Sequence, residues 1–423
     1  MAGSPIRGAK CLPAVPFLTG NFEVVPETME RRIKMAKFDD LSNLLKKFVE
    51  DGLPGCGCAV AKDGKILYEG YFGYADLEEK KPITEDSVFR IFSMTKVVIC
   101  TAALILFERG KFLLHEPIYE YLPEYKDTTV FVTDSEGKVH VEKAKNPMLI
   151  KHAFTMAVGL PYHFGDSPTA REMRRVKEEL KAKYGKYDIV TEARAMGSVP
   201  VAFEPGTRWL YGYGHDILAA LIQVISGKTV GEFLYDEIFG PLGMDSTGYR
   251  FHGDIKERMV SCYKKNENGT WEKVSGFLDE YHQPDAIYEA GGAGLYSTVR
   301  DYLKFSQMLA NGGCYNGHRI ISRKTIDLMR TNQLNEQQLK DFNFNNPYLA
   351  GYGYGLGVRT LMNPAEGNSN SSVGEFGWTG ALGTYVSIDP SEGFSVVYMH
   401  QTIPNMEVYH HLRVRAVAYG CLR

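Results

Sequence analysis

The chain has 423 residues, of which 44% are apolar and 23% are charged, and its formal net charge is -3. This length and composition are typical of a folded protein with one large or two ordinary globular domains. The weak negative charge provides no basic field for a phosphate backbone or an anionic membrane, so we expect neither a nucleic-acid partner nor a membrane partner.

The first 28 residues contain several prolines and no uninterrupted apolar segment of the kind found in secretory signals. We therefore expect an irregular N-terminal arm over residues 1–28 and a cytoplasmic protein. The seven cysteines are an odd number scattered through a long chain, which favours buried or free thiols over a disulfide framework. No group of residues has the spacing of a metal site, and no cofactor is expected.

A helix and a hairpin are predicted directly after this arm. Residues 38–52, FDDLSNLLKKFVEDG, place their large apolar side chains on one helical face and end at a glycine. Residues 56–76, CGCAVAKDGKILYEGYFGYAD, predict two strands joined at Asp63-Gly64. Residues 384–401, TYVSIDPSEGFSVVYMHQ, predict another strand, turn and strand near the C-terminus.

The middle of the chain is mostly helical by pattern, with helices expected near residues 95–109, 170–183 and 216–226. A helical segment between two β-rich ends predicts an α/β domain made from both ends of the chain. We place this α/β domain at residues 29–115 and 290–423, and a mainly helical domain at residues 116–289.

The pattern Ser-x-x-Lys occurs three times, starting at Ser93, Ser135 and Ser261. Ser135 lies in a polar turn, and the segment after Ser261 runs into another turn. Ser93 differs from both because KVVICTAALILFERG follows it, and this run is apolar nearly all round. The run predicts a central helix that ends at Gly110.

Two interpretations of Ser93 remain open at this point. Lys96 would lie one helical turn from Ser93 and on the same side, and burial would favour a neutral amine able to accept the serine proton. The helix N-terminus would also present unpaired N–H groups to the serine hydroxyl. Alternatively, Ser93 only caps the helix while Lys96 points to solvent.

A second motif lies in residues 204–244, EPGTRWLYGYGHDILAALIQVISGKTVGEFLYDEIFGPLGM. There Tyr211 occupies a short turn before a helix that Asp216 can cap. With these motifs the chain resembles the serine β-lactamase and penicillin-binding-protein superfamily, and more narrowly class C β-lactamases and family VIII carboxylesterases. The resemblance runs from about residue 40 to the C-terminus and includes MLIKHAFTMAVGL, EAGGAGLYSTVRDYLKFSQMLANGG and YGYGLGV.

The resemblance implies a fold and a set of roles. The fold would be α/β plus all-α, β-lactamase-like, with an antiparallel sheet flanked by helices and an inserted helical domain. Ser93 would be the acylated nucleophile, Lys96 would help to deprotonate it, and Tyr211 would be the second general base and acid, with its phenol near the Ser93 hydroxyl. The backbone N–H groups of Ser93 and Ala381 would form the oxyanion hole.

Two departures from the lactamase pattern affect the expected substrate. Position 213 is Tyr213 where the lactamases have the asparagine of Tyr-x-Asn, and Trp378-Thr379-Gly380 stands where they have Lys-Thr-Gly on an edge strand. Family VIII esterases have a similar tryptophan-glycine motif there. The loss of the lysine implies a substrate without an anionic group at this place. Trp378 could contact the substrate or serve only packing.

These residues predict a serine carboxylesterase that cleaves a small-molecule or short-chain ester through an acyl-enzyme. Tyr213, Trp378, Thr379 and Gly380 are the candidate substrate-binding residues. A β-lactamase, a D,D-peptidase and an acyltransferase remain alternatives because they use the same nucleophile. A catalytically inactive binding protein on this scaffold is also possible, but such a protein would not require Ser93, Lys96 and Tyr211 together.

Overall fold

The computed structural model describes residues 38–344 and 346–422, so the predicted arm over residues 1–28 lies outside the described residues. The α-helices of the described part are α1 (Asp39–Glu50), α2 (Thr95–Glu108), α3 (Ile150–Phe154), α4 (Pro168–Tyr184), α5 (Ile189–Met196), α6 (Gly214–Ser226), α7 (Val230–Leu234), α8 (Gly240–Leu242), α9 (Val299–Ala310), α10 (Arg323–Met329), α11 (Glu336–Asn343) and α12 (Glu407–Gly420).

The strands are β1 (Gly55–Lys62), β2 (Lys65–Asp76), β3 (Lys81–Pro82), β4 (Val88–Arg90), β5 (Thr129–Thr133), β6 (Val139–Lys143), β7 (Cys262–Lys265), β8 (Trp271–Val274), β9 (Tyr296–Thr298), β10 (Cys314–Tyr315), β11 (His318–Arg319), β12 (Tyr352–Tyr354), β13 (Arg359–Leu361), β14 (Phe376–Gly380), β15 (Thr384–Asp389), β16 (Phe394–Met399) and β17 (Thr402–Ile403).

The main sheet has eight antiparallel strands in the order β12-β13-β14-β15-β16-β1-β2-β3. It is therefore built from both ends of the chain, as the sequence predicts. Strands β15 and β16 are buried along their whole length, because α9 covers one face of the sheet while α1 and α12 cover the other. Such a sheet between helical layers is the predicted fold class.

Helix α2 forms the centre of the molecule, and its residues from Thr95 to Leu106 are buried. It packs against α6, which also contacts α3 and α5. The segment between residues 116 and 289 contains these helices together with the hairpins β5–β6 and β7–β8, and β7 pairs with the C-terminal strand β17. The domain boundaries given above stay a prediction.

The predicted helices at α1, α2, α4 and α6 are confirmed, and so are the two hairpins. The hairpin between β1 and β2 turns at Asp63 and Gly64, whose φ angles of 49° and 77° are both positive. This conformation is the one for which an Asp-Gly pair is suited. Ser261 immediately precedes strand β7, and the segment after it reaches a turn only beyond that strand.

Within residues 38–344 and 346–422, no single helix combines the length and the apolar composition needed to cross a membrane. Helix α6 and the segment Val230–Leu242 have the required length and apolar composition only when they are taken together, and the chain bends by 80° between them.

Candidate active site

Ser93 lies in a short 3₁₀ turn, Phe92–Met94, that leads directly into α2. No side-chain hydrogen bond caps either this turn or the helix, so the interpretation of Ser93 as a simple helix cap is wrong. The preceding residue, Phe92, has a φ of 42°. A positive φ in a bulky residue is strained and persists only where the surrounding structure holds it. The turn thus presents a half-buried serine on a constrained backbone.

Lys96 is fully buried and points toward Ser93, so the interpretation in which it points to solvent is wrong. Its Nζ donates to Ser93 Oγ at 3.2 Å, to the Tyr162 hydroxyl at 3.0 Å and to the carbonyl oxygen of Gly292. These acceptors are a hydroxyl, a phenol and a peptide carbonyl, and all three are neutral. Three acceptors match the three N–H groups of a lysine ammonium.

The protonation state of Lys96 differs from the expectation. Burial lowers the pKa of Lys96, but its surroundings, chiefly Tyr162, Tyr211 and Asp216, together raise that pKa by more, so it lies above the usual lysine value. Desolvation acts in the predicted direction, toward the neutral amine, but the other interactions outweigh it and the net shift favours the ammonium. Any step that uses Lys96 as a base then becomes faster as the pH rises, because more of the amine is neutral.

Tyr211 contacts Lys96 through its ring rather than its hydroxyl. Lys96 Nζ lies 4.7 Å from the centre of the Tyr211 ring. The Tyr211 hydroxyl accepts a hydrogen bond from Trp378 Nε1 at 3.1 Å, and the two rings stack with centres 5.7 Å apart. The structure thus brings Ser93, Lys96, Tyr211 and Trp378 together, with the Tyr211 phenol directed at the tryptophan.

Tyr162 is a site residue that the sequence reasoning missed. It provides the phenol that hydrogen-bonds Lys96, and its ring packs edge-on against Tyr211 at 5.7 Å and Tyr213 at 4.9 Å. Burial raises the pKa of Tyr162, although the nearby Lys96 opposes this shift. The only signal in the sequence is its position two residues after the matched segment MLIKHAFTMAVGL.

The structure corrects the assignment of Tyr213 as a substrate-binding residue. Its side chain is only 3% exposed, and its hydroxyl lies 2.6 Å from His163 Nδ1. A side chain this buried is not available to a substrate. Tyr213 instead packs behind Tyr162, where it supports the ring that reaches Lys96.

Strand β14 carries Trp378, Thr379 and Gly380 past the nucleophile. Strand β13 pairs with β14 only at Gly377 and Phe376, so in the described part of the chain no strand covers that edge from Trp378 to Gly380. β14 lies between β13 and β15 in the sheet order, but its residues from Trp378 to Gly380 pair with β15 alone. This half of β14 therefore resembles the edge strand that carries the corresponding lactamase motif. A small pocket opens beside it and is lined by Trp378 and Thr379, whereas Ser93, Lys96 and Tyr211 do not line it.

The end of β14 lies against the serine turn. A Cβ atom added at Gly380 would come within 2.4 Å of the Ile91 carbonyl oxygen, so only glycine permits this approach. Thr384 Oγ1 donates to the same carbonyl at 3.1 Å. Ala381 follows Gly380 directly and is exposed. The two predicted oxyanion donors, the N–H groups of Ser93 and Ala381, therefore sit on segments that contact each other.

Comparison with known proteins identifies the family of the chain. The Beta-lactamase family model matches residues 41–419. An uncharacterized protein of Mycobacterium tuberculosis is 31% identical over 362 residues, which cover 84% of this chain and 88% of that protein. Esterase EstB of Burkholderia gladioli is 26% identical over 369 residues, which cover 84% of this chain and 87% of the esterase.

Among solved structures, EstCE1, described as a hydrolase with promiscuous acyltransferase activity, superposes with a TM-score of 0.76 at 22% identity and covers 92% of this chain and 100% of its own. More distant relatives are named as an acyltransferase of Penicillium decumbens and as putative D-alanyl-D-alanine carboxypeptidases of Salmonella. The chain therefore belongs to the Beta-lactamase family, and the predicted superfamily and fold are confirmed.

Proposed function

We propose that the protein is a serine carboxylesterase that hydrolyses small neutral esters through an acyl-enzyme on Ser93. The observation that carries the proposal is the buried Lys96, whose Nζ lies 3.2 Å from Ser93 Oγ. A lysine within hydrogen-bond distance of a serine is the arrangement needed to activate that serine as a nucleophile. EstB, which is similar over most of both chains, is named as an esterase.

The reaction follows from this geometry in two halves. Ser93 Oγ attacks the ester carbonyl carbon and transfers its proton to Lys96 Nζ, while the N–H groups of Ser93 and Ala381 bind the oxyanion. The bond to the alcohol oxygen then breaks, and that oxygen takes a proton from Lys96 or Tyr211. Water attacks the acyl-enzyme in the same manner, releasing the acid and restoring Ser93.

Mass spectrometry after incubation with p-nitrophenyl butyrate tests the proposal directly. We expect turnover of the ester and, at short times, a butyryl group on Ser93. Acyl transfer is the second candidate, because an alcohol acceptor needs only to replace water at the same intermediate. If the protein transfers acyl groups, an added alcohol should accept the butyryl group and form a new ester. Absence of any acylated serine would contradict both candidates.

The substrate preference gives a separate prediction. We expect kcat/KM for p-nitrophenyl butyrate to exceed that for a cephalosporin by at least roughly 10²-fold, because a site without a partner for a buried carboxylate leaves that charge unpaired. Two arginines line the pocket beside Trp378, but both already have partners. Arg359 donates a hydrogen bond to Glu375, and Arg415 donates one to the Tyr352 hydroxyl. We therefore do not expect either arginine to bind the carboxylate of the cephalosporin.

Trp378→Lys should narrow this difference, chiefly by improving hydrolysis of the cephalosporin. Steady-state kinetics on both substrates, with wild type and variant, make the comparison. Equal efficiency of the wild-type protein on the two substrates would contradict the preference for neutral esters and would indicate that Arg359 or Arg415 binds the carboxylate.

Tyr162→Phe should lower kcat by roughly 10-fold to 10²-fold, because it removes the phenol that hydrogen-bonds Lys96 and keeps the packed ring. Tyr213→Phe is the matched control, since it removes a neighbouring buried hydroxyl that contacts His163 instead. We expect its effect on kcat to be several-fold smaller. Equal losses in the two variants would show that Tyr162 acts only through packing.

A further inference from the structure

Asp216 is a buried carboxylate in the first turn of α6, and it is 2% exposed. The expectation that it caps the helix is wrong, because α6 begins at Gly214 and has no side-chain cap bond. One carboxylate oxygen, Oδ1, accepts from the N–H of Gly292 at 3.0 Å. The other, Oδ2, has no hydrogen-bond partner among the described residues. Such an arrangement is costly for a charged group unless another charge compensates it.

The turn at Gly291 and Gly292 links this carboxylate to Lys96. The carbonyl oxygen of Gly292 accepts a hydrogen bond from Lys96 Nζ. A Cβ atom at Gly291 would lie 2.0 Å from the His215 carbonyl oxygen, and one at Gly292 would lie 2.8 Å from Asp216 Oδ2. Glycine is therefore required at position 291 for the turn to lie this close to α6, and at position 292 any larger residue would displace the neighbouring side chains. The contact from Asp216 through Gly292 to Lys96 is continuous.

Tyr162 closes the same cluster. A Cβ atom at Gly292 would also lie 2.6 Å from the Tyr162 hydroxyl, which itself hydrogen-bonds Lys96. Because the three oxygens that bind Lys96 are neutral, the ammonium needs a negative charge slightly further away. Asp216 is positioned to provide it across the glycine turn.

We propose that Asp216 is a positioning residue for the reaction, which holds the Gly292 turn against Lys96 and supplies the buried negative charge that compensates the Lys96 ammonium. Asp216 need not touch the substrate for this role. The role depends on the proposed function only in that Lys96 serves as the base for Ser93.

Among the described groups that raise the pKa of Lys96, Asp216 is the carboxylate, and its effect follows those of the phenols of Tyr162 and Tyr211. The ionisable groups around the pair are Tyr162, Tyr211, Cys100 and His215 beside Lys96, and Glu192, Lys177, Tyr213, Tyr249 and Tyr288 beside Asp216. Burial lowers the pKa of His215 to about 3 and raises the pKa of Cys100, so both stay neutral near pH 7. Glu192 is already paired with Lys177.

The pKa values of the pair agree with the proposal. Burial raises the pKa of Asp216 to about 6, with Lys96 acting in the opposite direction, so the carboxyl is ionised above that pH. In turn Asp216 raises the pKa of Lys96 and that of Tyr162. Removing the charge should therefore lower both pKa values, including that of Lys96, the proposed base for Ser93.

Asp216→Asn tests this role, because asparagine keeps an acceptor for the Gly292 N–H and removes only the charge. The measurement is the rate at which p-nitrophenyl ethyl phosphonate modifies Ser93 between pH 7 and 12, followed by mass spectrometry, so that the range extends beyond the usual lysine pKa. We expect the midpoint of the rising limb to move to lower pH by about half a unit or more. If this variant does not fold, Asp216→Ser also removes the charge, keeps an oxygen that can accept from the Gly292 N–H, and should shift the midpoint in the same direction.

Asp301→Asn is the matched control. Asp301 is another buried carboxylate, bound to the N–H of Ser246 and the hydroxyl of Thr247. Its substitution should leave the midpoint unchanged. A wild-type midpoint in Asp216→Asn, even with a lower rate, would overturn the proposal and leave Asp216 a purely structural role.

A double-mutant cycle on stability separates this inference from the proposed function. Lys96→Met should lower the urea midpoint more when it is introduced into the wild-type protein than when it is introduced into Asp216→Asn. In the wild-type protein the substitution leaves the buried Asp216 carboxylate uncompensated, whereas Asp216→Asn has no such charge. This comparison needs no catalysis. If the effects of the two substitutions on the urea midpoint are additive, the charge pairing of Asp216 with Lys96 is overturned. If the effects are coupled but the phosphonate does not modify Ser93, only the esterase proposal is overturned.

Discussion

Ser93→Ala is expected to abolish ester hydrolysis, with kcat falling at least roughly 10⁴-fold, as is typical when a nucleophile is removed. The change deletes one hydroxyl whose observed hydrogen bond comes from Lys96 Nζ at 3.2 Å. Because Ser93 caps no helix, the free energy of unfolding should fall by only about 1 kcal/mol, the usual net value of a hydrogen bond. Ester kinetics and urea unfolding of the purified variant measure the two effects.

The other Ser-x-x-Lys serines provide the controls for this prediction. Ser135 is exposed in the turn between β5 and β6, and its substitution by alanine should change neither activity nor stability. Ser261→Ala removes a hydrogen bond to Asp76 at 2.8 Å and should cost some stability but no activity. A Ser93→Ala variant that retained wild-type turnover would show that the nucleophile lies elsewhere.

The parts of this fold that could be predicted are those fixed by neighbouring residues. The long apolar run after Ser93 predicts a buried helix, which is α2, and the Asp-Gly pair predicts the turn between β1 and β2. The position of Ser93 before α2 is equally local. The family resemblance indicates Tyr211 and Trp378, and the structure places the Tyr211 ring beside Lys96 and Trp378 Nε1 on the Tyr211 hydroxyl.

The remaining parts depend on contacts between distant segments. Tyr162 and Gly292 are 66 and 196 residues from Lys96. Gly292 lies in the matched segment EAGGAGLYSTVRDYLKFSQMLANGG, but nothing in the spacing of either residue indicates a contact with Lys96. The protonation of Lys96 follows from these contacts, so the sequence predicts the effect of burial on its pKa but not the opposing effect that outweighs it. Tyr213 was assigned to the substrate from its position in a motif, but its burial behind Tyr162 is decided by tertiary packing.

The second prediction with a large effect concerns Lys96 itself. Both Lys96→Arg and Lys96→Ala should lower kcat by roughly 10²-fold or more, because guanidinium stays charged and cannot accept the serine proton, while alanine has no group to do so. In the wild-type protein the raised pKa of Lys96 means that its neutral form increases through the alkaline range. The rate of Ser93 acylation should therefore rise with pH in wild type, and this rise should be lost in both variants.

Lys138→Arg is the matched control for this substitution, because Lys138 occupies the same place in the second Ser-x-x-Lys copy and is exposed. It should retain wild-type kinetics at every pH. Comparison of Lys96→Arg with Lys96→Ala separates the roles of charge and base. If arginine restored turnover where alanine did not, a fixed positive charge beside Ser93 would suffice, and Tyr162 or Tyr211 would have to take the serine proton. If both variants lose turnover to the same extent, as expected, the neutral amine of Lys96 is the base. The fraction of Lys96 that is neutral then depends on the buried charges that surround it.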